Sequence, residues 1–133
     1  MIFKSYILEQ KIDDIDKYKI VLFYGENEGL KKDFKNKIKN YYSKNELLNF
    51  SQDDINKNRN LLLSEVSNKS LFNEKKVIFI DQSSDKILEI LEDLVQIIEN
   101  EKIYVFCNAL EKKSKLRNYF EKSQDCAIVA CYQ

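Results

Sequence analysis

The stretch KIVLFYGENEGLKK, residues 19–32, decides the fold of this chain. It begins with the β-rich run 19–24, which is apolar after Lys19, and such runs are typical of strands that are buried on both faces. A loop with Gly25 and Gly29 follows and leads into a segment with helical spacing. A buried strand that passes through this loop into a helix predicts an α/β fold, in which ligands usually lie at the carboxyl ends of the strands.

The rest of the chain repeats this alternation. Further apolar runs that favour strands occur at 46–50, 76–81, 102–107 and 126–131. The segments between the runs have helical spacing, at Leu30, Phe34, Ile38 and Tyr41, at Ile55, Arg59, Leu62 and Val66, at Ile87, Leu91, Leu94 and Ile98, and at Leu116, Tyr119 and Phe120. With right-handed crossovers, this order predicts a three-layer α/β fold with a mainly parallel, five-stranded sheet. Residues 1–18 fit either an edge strand or a short helix.

Two local patterns refine the helices. Ser51 and Asp54 have the spacing of a capping box, with Asp in place of the usual Glu, and predict a helix start. In the first helix the apolar spacing places Lys31, Lys32 and Lys35, together with Lys39, on the opposite face from Phe34. We therefore expect a solvated, lysine-rich helix face.

Composition limits the possible functions. The 133 residues are enough for one domain, and Lys+Arg and Asp+Glu both total 22, so the zero net charge gives no long-range attraction to nucleic acid. No apolar run approaches the roughly 20 residues of a membrane span, and the first residues lack a secretory signal, so we expect a cytoplasmic protein without membrane contact.

No histidine is present, and Cys107, Cys126 and Cys131 have no C-x-x-C spacing, so no metal site is predicted. The odd separation of Cys126 and Cys131 predicts that they point to opposite faces of a strand as buried, reduced thiols.

The loop after the first buried strand resembles a phosphate-binding loop that has lost its parts. A working P-loop reads G-x-x-x-x-G-K-[ST]. Counted from Gly25, Leu30 replaces the second glycine and Lys32 replaces the hydroxyl residue that binds magnesium, while Lys31 keeps the lysine position. Glu26 and Glu28 add negative charge where a triphosphate would lie. The sequence predicts no bound nucleotide or other cofactor, and a simple tight turn at Gly25 and Gly29 is the favoured interpretation.

The segment that resembles a Walker B strand also lacks a residue that ATP hydrolysis needs. Asp81 ends an apolar strand, as in a Walker B segment, but Gln82 stands where an ATPase needs a carboxylate to activate water. Asn108 occupies the place of a sensor residue, although a turn role is equally compatible with it. An active P-loop ATPase or kinase is the enzyme alternative, and a receiver-type signalling domain ranks last because only Asp81 is well placed for its acidic cluster. No catalytic residue is predicted.

Three segments carry a family resemblance: YGENEGL at 24–30, SLFNEKK at 70–76 and LEKKSKLRNYF at 110–120. In this order and spacing the chain resembles the N-terminal domain of the delta subunit of the bacterial DNA polymerase III clamp loader. The resemblance implies a P-loop NTPase-like, AAA+-like domain over 1–133 that has lost ATPase function, and a subunit of a DNA-directed DNA polymerase holoenzyme. It implies binding and opening of the sliding clamp (beta subunit), contacts with other loader subunits, and further helical lid and collar domains that this chain does not include.

The resemblance also assigns site residues. Clamp binding falls on Ser70, Leu71 and Phe72, with Ser70 shaping the turn and Leu71 and Phe72 inserting into an apolar pocket of the clamp. From the residues alone, packing of Leu71 and Phe72 against the core of this domain is the favoured interpretation, and only the family resemblance favours clamp binding. Lys75 or Lys76 would meet acidic groups on the clamp or remain solvated.

Basic residues suggest a second, weaker contact. Lys112, Lys113, Lys115 and Arg117 are candidates for contact with DNA or with a loader partner. No aromatic platform is interleaved with these residues, and lysine-rich faces are usually solvated. We expect the domain to bind DNA weakly by itself, or only through the assembled loader.

Overall fold

A computed structural model describes residues 1–67 and 75–132, so Ser70, Leu71 and Phe72 lie outside the described residues. The strands are β1 (Ile2–Lys4), β2 (Ile20–Tyr24), β3 (Glu46–Ser51), β4 (Lys76–Ser83), β5 (Lys102–Cys107) and β6 (Cys126–Ala130). The helices are α1 (Ser5–Leu8), α2 (Glu28–Tyr41), α3 (Gln52–Lys57), α4 (Arg59–Ser67), α5 (Leu88–Ile97) and α6 (Lys115–Lys122), with 3₁₀ turns at Ile12–Lys17 and Asp85–Ile87.

The described strands form one parallel sheet in the order β1-β6-β2-β5-β4-β3. This confirms the predicted α/β class, but the predicted count of five strands is wrong because β1 adds a sixth. Ile2 of β1 pairs with Ile128 of β6. The amino group of Met1 holds this short strand in place by donating to the carbonyls of Phe120, Ser123 and Cys126 at 3.0–3.1 Å. A strand of three residues is too short to show a periodic pattern.

Helices cover both faces of the sheet and make a three-layer structure. On one face α1, the 3₁₀ turn at Ile12–Lys17 and α2 pack on alternate strand residues such as Phe23, Phe79 and Tyr104. On the other face α3 to α6 pack on the intervening residues, such as Leu22 and Ile80. Sheet residues with both faces covered must be apolar throughout, which explains the unbroken apolar runs.

The cysteines follow the predicted alternation. Cys126 belongs to the core on the α3–α6 face and Cys131 to the core on the α2 face, while Cys107, like both of them, is a buried free thiol. Burial raises the pKa of Cys107 and that of Cys131 to about 12. At neutral pH these thiols are protonated, which suits packing rather than nucleophilic chemistry.

The helix predictions need two corrections. The face of α2 that packs on the sheet contains Lys31, Phe34 and Ile38, so Lys31 is buried rather than solvated. The capping box of Ser51 and Asp54 is present, but the helix that it starts ends at Lys57, and α4 begins at Arg59. Among residues 1–67 and 75–132, no helix combines the length and the apolar character that a membrane span requires.

Candidate functional site

Gly25 is the turning point of the degenerate phosphate loop. Its φ of +128° lies in a region that side-chain-bearing residues rarely adopt. A Cβ at this position would lie 2.1 Å from the backbone oxygen of Cys131, so the chain after β6 passes directly over the loop. Gly29, by contrast, is a residue of α2 with an ordinary backbone, so only the first glycine serves the turn.

Backbone groups of the loop bond to the protein itself. The Gly25 N–H donates to the Asn108 carbonyl at 3.3 Å, and the Asn27 N–H donates to the Cys131 carbonyl at 3.1 Å. The Asn27 side chain caps α2 by accepting from the Leu30 N–H at 3.0 Å. A P-loop binds phosphate through N–H groups of this kind. Here several of them are already bonded to carbonyl or side-chain oxygens of the chain.

Lys31 keeps the lysine position of a P-loop, but it is turned inward. Only 5% of the residue is exposed. Its Nζ donates to Glu28 Oε1 at 2.7 Å and to the Cys107 carbonyl at 2.9 Å, which closes a contact between α2 and the end of β5. Buried ammonium groups need such partners. The charge that would neutralise a β- or γ-phosphate is paired within the chain.

Asp81, the acidic residue at the end of β4, is also paired. Its Oδ2 accepts from Lys35 Nζ at 2.7 Å and from Asn49 Nδ2 at 3.0 Å, and Lys35 also donates to Asn49 Oδ1 at 2.6 Å. The Lys35 ammonium lies 5.5 Å from the ring centroid of Phe79, a cation–π distance. In a working NTPase the corresponding carboxylate helps to hold magnesium. In this chain the Asp81 carboxylate is paired with the Lys35 ammonium group.

A shallow cleft remains between these groups. It measures about 280 Å³ and is lined by Glu28, Lys31, Lys32, Lys35, Asp81, Gln82, Phe106, Cys107 and Asn108. Gln82 has a positive φ of 55°, which is uncommon for a residue with a side chain. In the part of the chain that the structure describes, no three His, Cys, Asp or Glu side chains form a group that could hold a metal ion. We call this region the carboxyl-end cleft.

A second polar cluster lies at the amino end of the sheet. Tyr104 donates to the Tyr42 hydroxyl at 3.1 Å, Tyr42 donates to Asp16, and Lys102 donates to the Asp16 and Tyr18 carbonyls. Burial and the neighbours Tyr104 and Asp16 raise the pKa of Tyr42, so its hydroxyl stays protonated. Burial disfavours the charged form of Asp16, but the Tyr42 hydrogen bond and the charges of Lys75 and Lys102 together lower its pKa.

The same end of the sheet holds both flanks of segment 68–74, which contains the predicted clamp-binding residues. Lys76 is 9% exposed, and its Nζ donates to the Glu65 carbonyl at 3.1 Å and to Glu65 Oε2 at 3.2 Å. Lys75 Nζ lies 3.6 Å from Asp16 Oδ1, and the Lys75 carbonyl accepts from Asn45 at 3.2 Å. These lysines were predicted to meet acidic groups on the clamp or to remain solvated. The structure instead engages each of them in contacts within the domain.

The four basic candidates near α6 do not form a single exposed cluster. The structure exposes Lys112, Lys113 and Lys115, and the Lys113 side chain is 88% exposed. Arg117 is turned inward: it donates to the Leu110 carbonyl at 3.1 Å and lies 5.2 Å from the centroid of the Tyr24 ring. Arg117 thus ties α6 to the end of β2, while the three lysines remain available at the surface.

Sequence reasoning missed several of these groups. Lys35, Asn49, Tyr42 and Asp16 lie on different elements, and no motif spacing joins them. The one usable signal was that Lys35 follows Lys31 by one helical turn, which places both on the same side of α2.

Comparisons with known proteins give the family context. A family model described as "DNA polymerase III, delta subunit" matches residues 21–132. Among solved structures, the Bacillus subtilis DNA clamp loader delta protein is similar, with a TM-score of 0.69 and 10% sequence identity. The match covers 96% of this chain but 42% of that one, so this chain spans less than half of that relative's length. At this identity the likeness shows a shared fold. A comparison with curated proteins found no match.

Proposed function

Because this chain belongs to the DNA polymerase III delta subunit family, we propose that it binds the sliding clamp and helps to open it during DNA replication. In this proposal residues 1–133 form the clamp-binding domain. The domain hydrolyses no ATP, and it works with the clamp and the other clamp-loader subunits. Its contact with DNA is weak or is made through the complex, by way of Lys112, Lys113 and Lys115.

One observation carries the non-catalytic part of the proposal: the chain's own groups fill the phosphate loop. The Cys131 backbone lies over Gly25, Lys31 is paired with Glu28, and Asp81 is paired with Lys35. A triphosphate that used the Gly25 and Asn27 N–H groups, Lys31 and Lys35 would have to compete with these contacts, one of which is made by a buried lysine. The family role then falls to binding rather than chemistry.

The proposed clamp contact is Leu71 and Phe72, with Ser70 in the turn before them. Burying a large apolar side chain contributes about 1.5–3 kcal/mol before ordering costs, so two adjacent anchors suffice for a modest interface. A subunit that binds the open clamp better than the closed clamp shifts the equilibrium toward opening. Differential affinity is the mechanism available to a domain without ATP hydrolysis.

The first experiment removes both anchors. A Leu71→Ala, Phe72→Ala double variant should lose clamp binding in a calorimetric titration while keeping the melting temperature of the parent chain. The matched control is Tyr6→Ala, Ile7→Ala, a second adjacent pair that is 61% and 47% exposed in α1, at the far end of the sheet. The control should bind the clamp as the parent chain does. Undiminished binding by the Leu71, Phe72 variant would reject the site.

The second experiment tests the enzyme alternative. Mg-ATP titrated into the chain should give no saturable heat, and incubation with Mg-ATP should release no phosphate above the rate without protein. The physical reason is the pairing of Lys31 and Lys35 with Glu28 and Asp81. Saturable binding that is lost in a Lys31→Met variant would restore the ATPase alternative.

A further inference from the structure

An open groove of about 740 Å³ lies between α5 and α6, and it shares no lining residue with the carboxyl-end cleft. Helix α5 contributes Leu88 and Glu92 to it, and α6 contributes Lys115, Tyr119 and Lys122. Leu88 and Tyr119 are half-buried and pack against the core, whereas the three charged residues are exposed. The groove therefore combines an apolar and aromatic inner surface with charged edges.

Helical geometry brings the ring of Tyr119 between two cations. In sequence order no aromatic residue is interleaved with the lysines that precede and begin α6. In the helix, however, Lys115, Tyr119 and Lys122 follow one another at spacings of four and three residues and share one face, while Leu116 and Phe120 are buried. The two lysines are two turns apart, roughly 10 Å along the axis, and the ring lies between them.

The lysines of this face have charge to offer a ligand. Within residues 1–67 and 75–132, neither Lys115 nor Lys122 has a carboxylate at ion-pair distance. Glu92, on the α5 side of the groove, carries the opposing charge. Two unpaired cations against one carboxylate favour an anionic ligand, bound weakly because the chain as a whole has no net charge.

The chain holds Tyr119 in a fixed position. Its ring contacts that of Phe120 edge to face, with centroids 5.8 Å apart, and it packs against the larger core. The first turn of α6 is fixed as well, because Ser114 Oγ accepts from the Arg117 N–H at 3.1 Å and the Asn118 amide donates to the Ser114 carbonyl at 2.8 Å. An aromatic ring that is already ordered loses little conformational freedom when a planar ligand stacks on it.

We infer that this face of α6, which we call the α6 site, binds single-stranded nucleic acid: Lys115 and Lys122 contact phosphates, and a base between them stacks on Tyr119. The inference rests on the DNA contact of the proposed function and makes it specific. Stacking on a side chain requires an unpaired base, since bases in a duplex already stack on one another. The ring thus gives the site a preference for single strands that lysines alone would not give.

The first test removes the ring. Fluorescence anisotropy at low salt measures binding of the chain to a labelled oligothymidylate of roughly 16 nucleotides. Tyr119→Leu, which keeps apolar packing but has no ring, should weaken binding about tenfold. Tyr119→Phe is the matched control and should bind as the parent chain does. Equal affinity of these two variants, or no binding by the parent chain, would overturn the inference.

Surface charges provide a second test that does not disturb the core. Lys122→Met should weaken binding and reduce the slope of log K against log salt by about 0.7, because one phosphate contact is lost. Lys44→Met is the control, since Lys44 is an exposed lysine between α2 and β3, outside the groove. Glu92→Gln should strengthen binding about twofold by removing the opposing carboxylate. An unchanged salt slope in Lys122→Met would count against the site.

Other ligands separate the α6 site from simpler explanations. A duplex of the same length and an oligoglutamate peptide should each bind more weakly than the single strand. Equal binding of the duplex would reduce the site to a charged surface, and equal binding of the peptide would assign it to an acidic protein; either result would overturn the inference. Clamp titrations of Tyr119→Leu should match those of the parent chain. A chain that binds the clamp but not the oligonucleotide would reject the α6 site alone, and the converse would reject the clamp role alone.

Discussion

Each end of the sheet holds one buried and one partly exposed lysine in ion pairs, but the two sets of pairs border different parts of the chain. At the carboxyl end Lys31 and Lys35 pair with Glu28 and Asp81 and line a shallow cleft at the place where NTPases bind a nucleotide. At the amino end Lys75 and Lys76 pair with Asp16 and Glu65 and hold the flanks of a segment that the family resemblance assigns to partner binding. At each end two lysines are paired with two carboxylates. What differs is the part of the chain that the pairs border, which is the degenerate phosphate loop at one end and the described residues on either side of 68–74 at the other.

The largest expected effect on stability comes from a substitution at the carboxyl end of the sheet. Gly25→Ala should destabilise the fold by at least about 3 kcal/mol, because the new methyl group would have to avoid the Cys131 carbonyl from a backbone conformation that alanine rarely adopts. Urea unfolding followed by circular dichroism measures the loss. Gly29→Ala is the control: its Cβ would lie 3.6 Å from Asn27 Oδ1, an ordinary contact distance, and alanine favours helix, so stability should be unchanged or slightly increased. Equal effects of the two substitutions would contradict the described packing over Gly25.

A smaller effect should follow from a change at the amino end. Tyr42→Phe removes the hydroxyl that donates to Asp16 and accepts from Tyr104, and it should cost about 2 kcal/mol because a charged acceptor and a buried donor lose their partner. Tyr41→Phe, at the neighbouring residue that is 48% exposed, should change stability little. Urea unfolding of both variants measures the difference. Similar stability of the two variants would show that the hydrogen bonds of Tyr42 to Asp16 and Tyr104 contribute little to the stability of the fold.

The smallest effect is a pH dependence at the same cluster. The pKa of Asp16 is lowered in the folded chain, so its contribution to stability is complete at neutral pH. It should be lost as the pH falls below the ordinary value of 3.8 and through the folded pKa. The contribution should be below about 1 kcal/mol because the carboxylate is partly exposed. In Asp16→Asn the free energy of unfolding should therefore fall less steeply as the pH is lowered. Urea unfolding between pH 5 and pH 2, roughly the range in which carboxylates titrate, measures this change. If Asp16→Asn leaves the loss of stability at low pH unchanged, other carboxylates cause that loss.

Periodicity was enough to predict most of the architecture. The five predicted runs correspond to β2 to β6, with differences of one or two residues at their ends, because buried parallel strands must be apolar throughout. The same logic left residues 1–18 open between an edge strand and a short helix, and the structure has both, because the pairing of β1 with β6 depends on a distant segment and on the amino group of Met1. Capping at Ser51 was predictable because the partners of a capping box are close in sequence.

The predicted burial of individual charges was less accurate. Lys31 was placed on a solvated face because a lysine is usually exposed. It is buried because the carbonyl of Cys107, at the end of a distant strand, offers it a partner. The partners of Lys35 and Lys76 also come from other elements, so no local pattern could predict them. Whether Leu71 and Phe72 are exposed stays a prediction.

The segment that crosses above Gly25 also constrains substitutions in the loop. Restoring glycine at position 30 and threonine at position 32 would rebuild the letters of a P-loop, yet the Cys131 carbonyl would still fill the space above the turn. A residue with a side chain at position 25 would therefore also require the chain after β6 to move. Changes in the letters of the loop alone would leave this backbone contact in place.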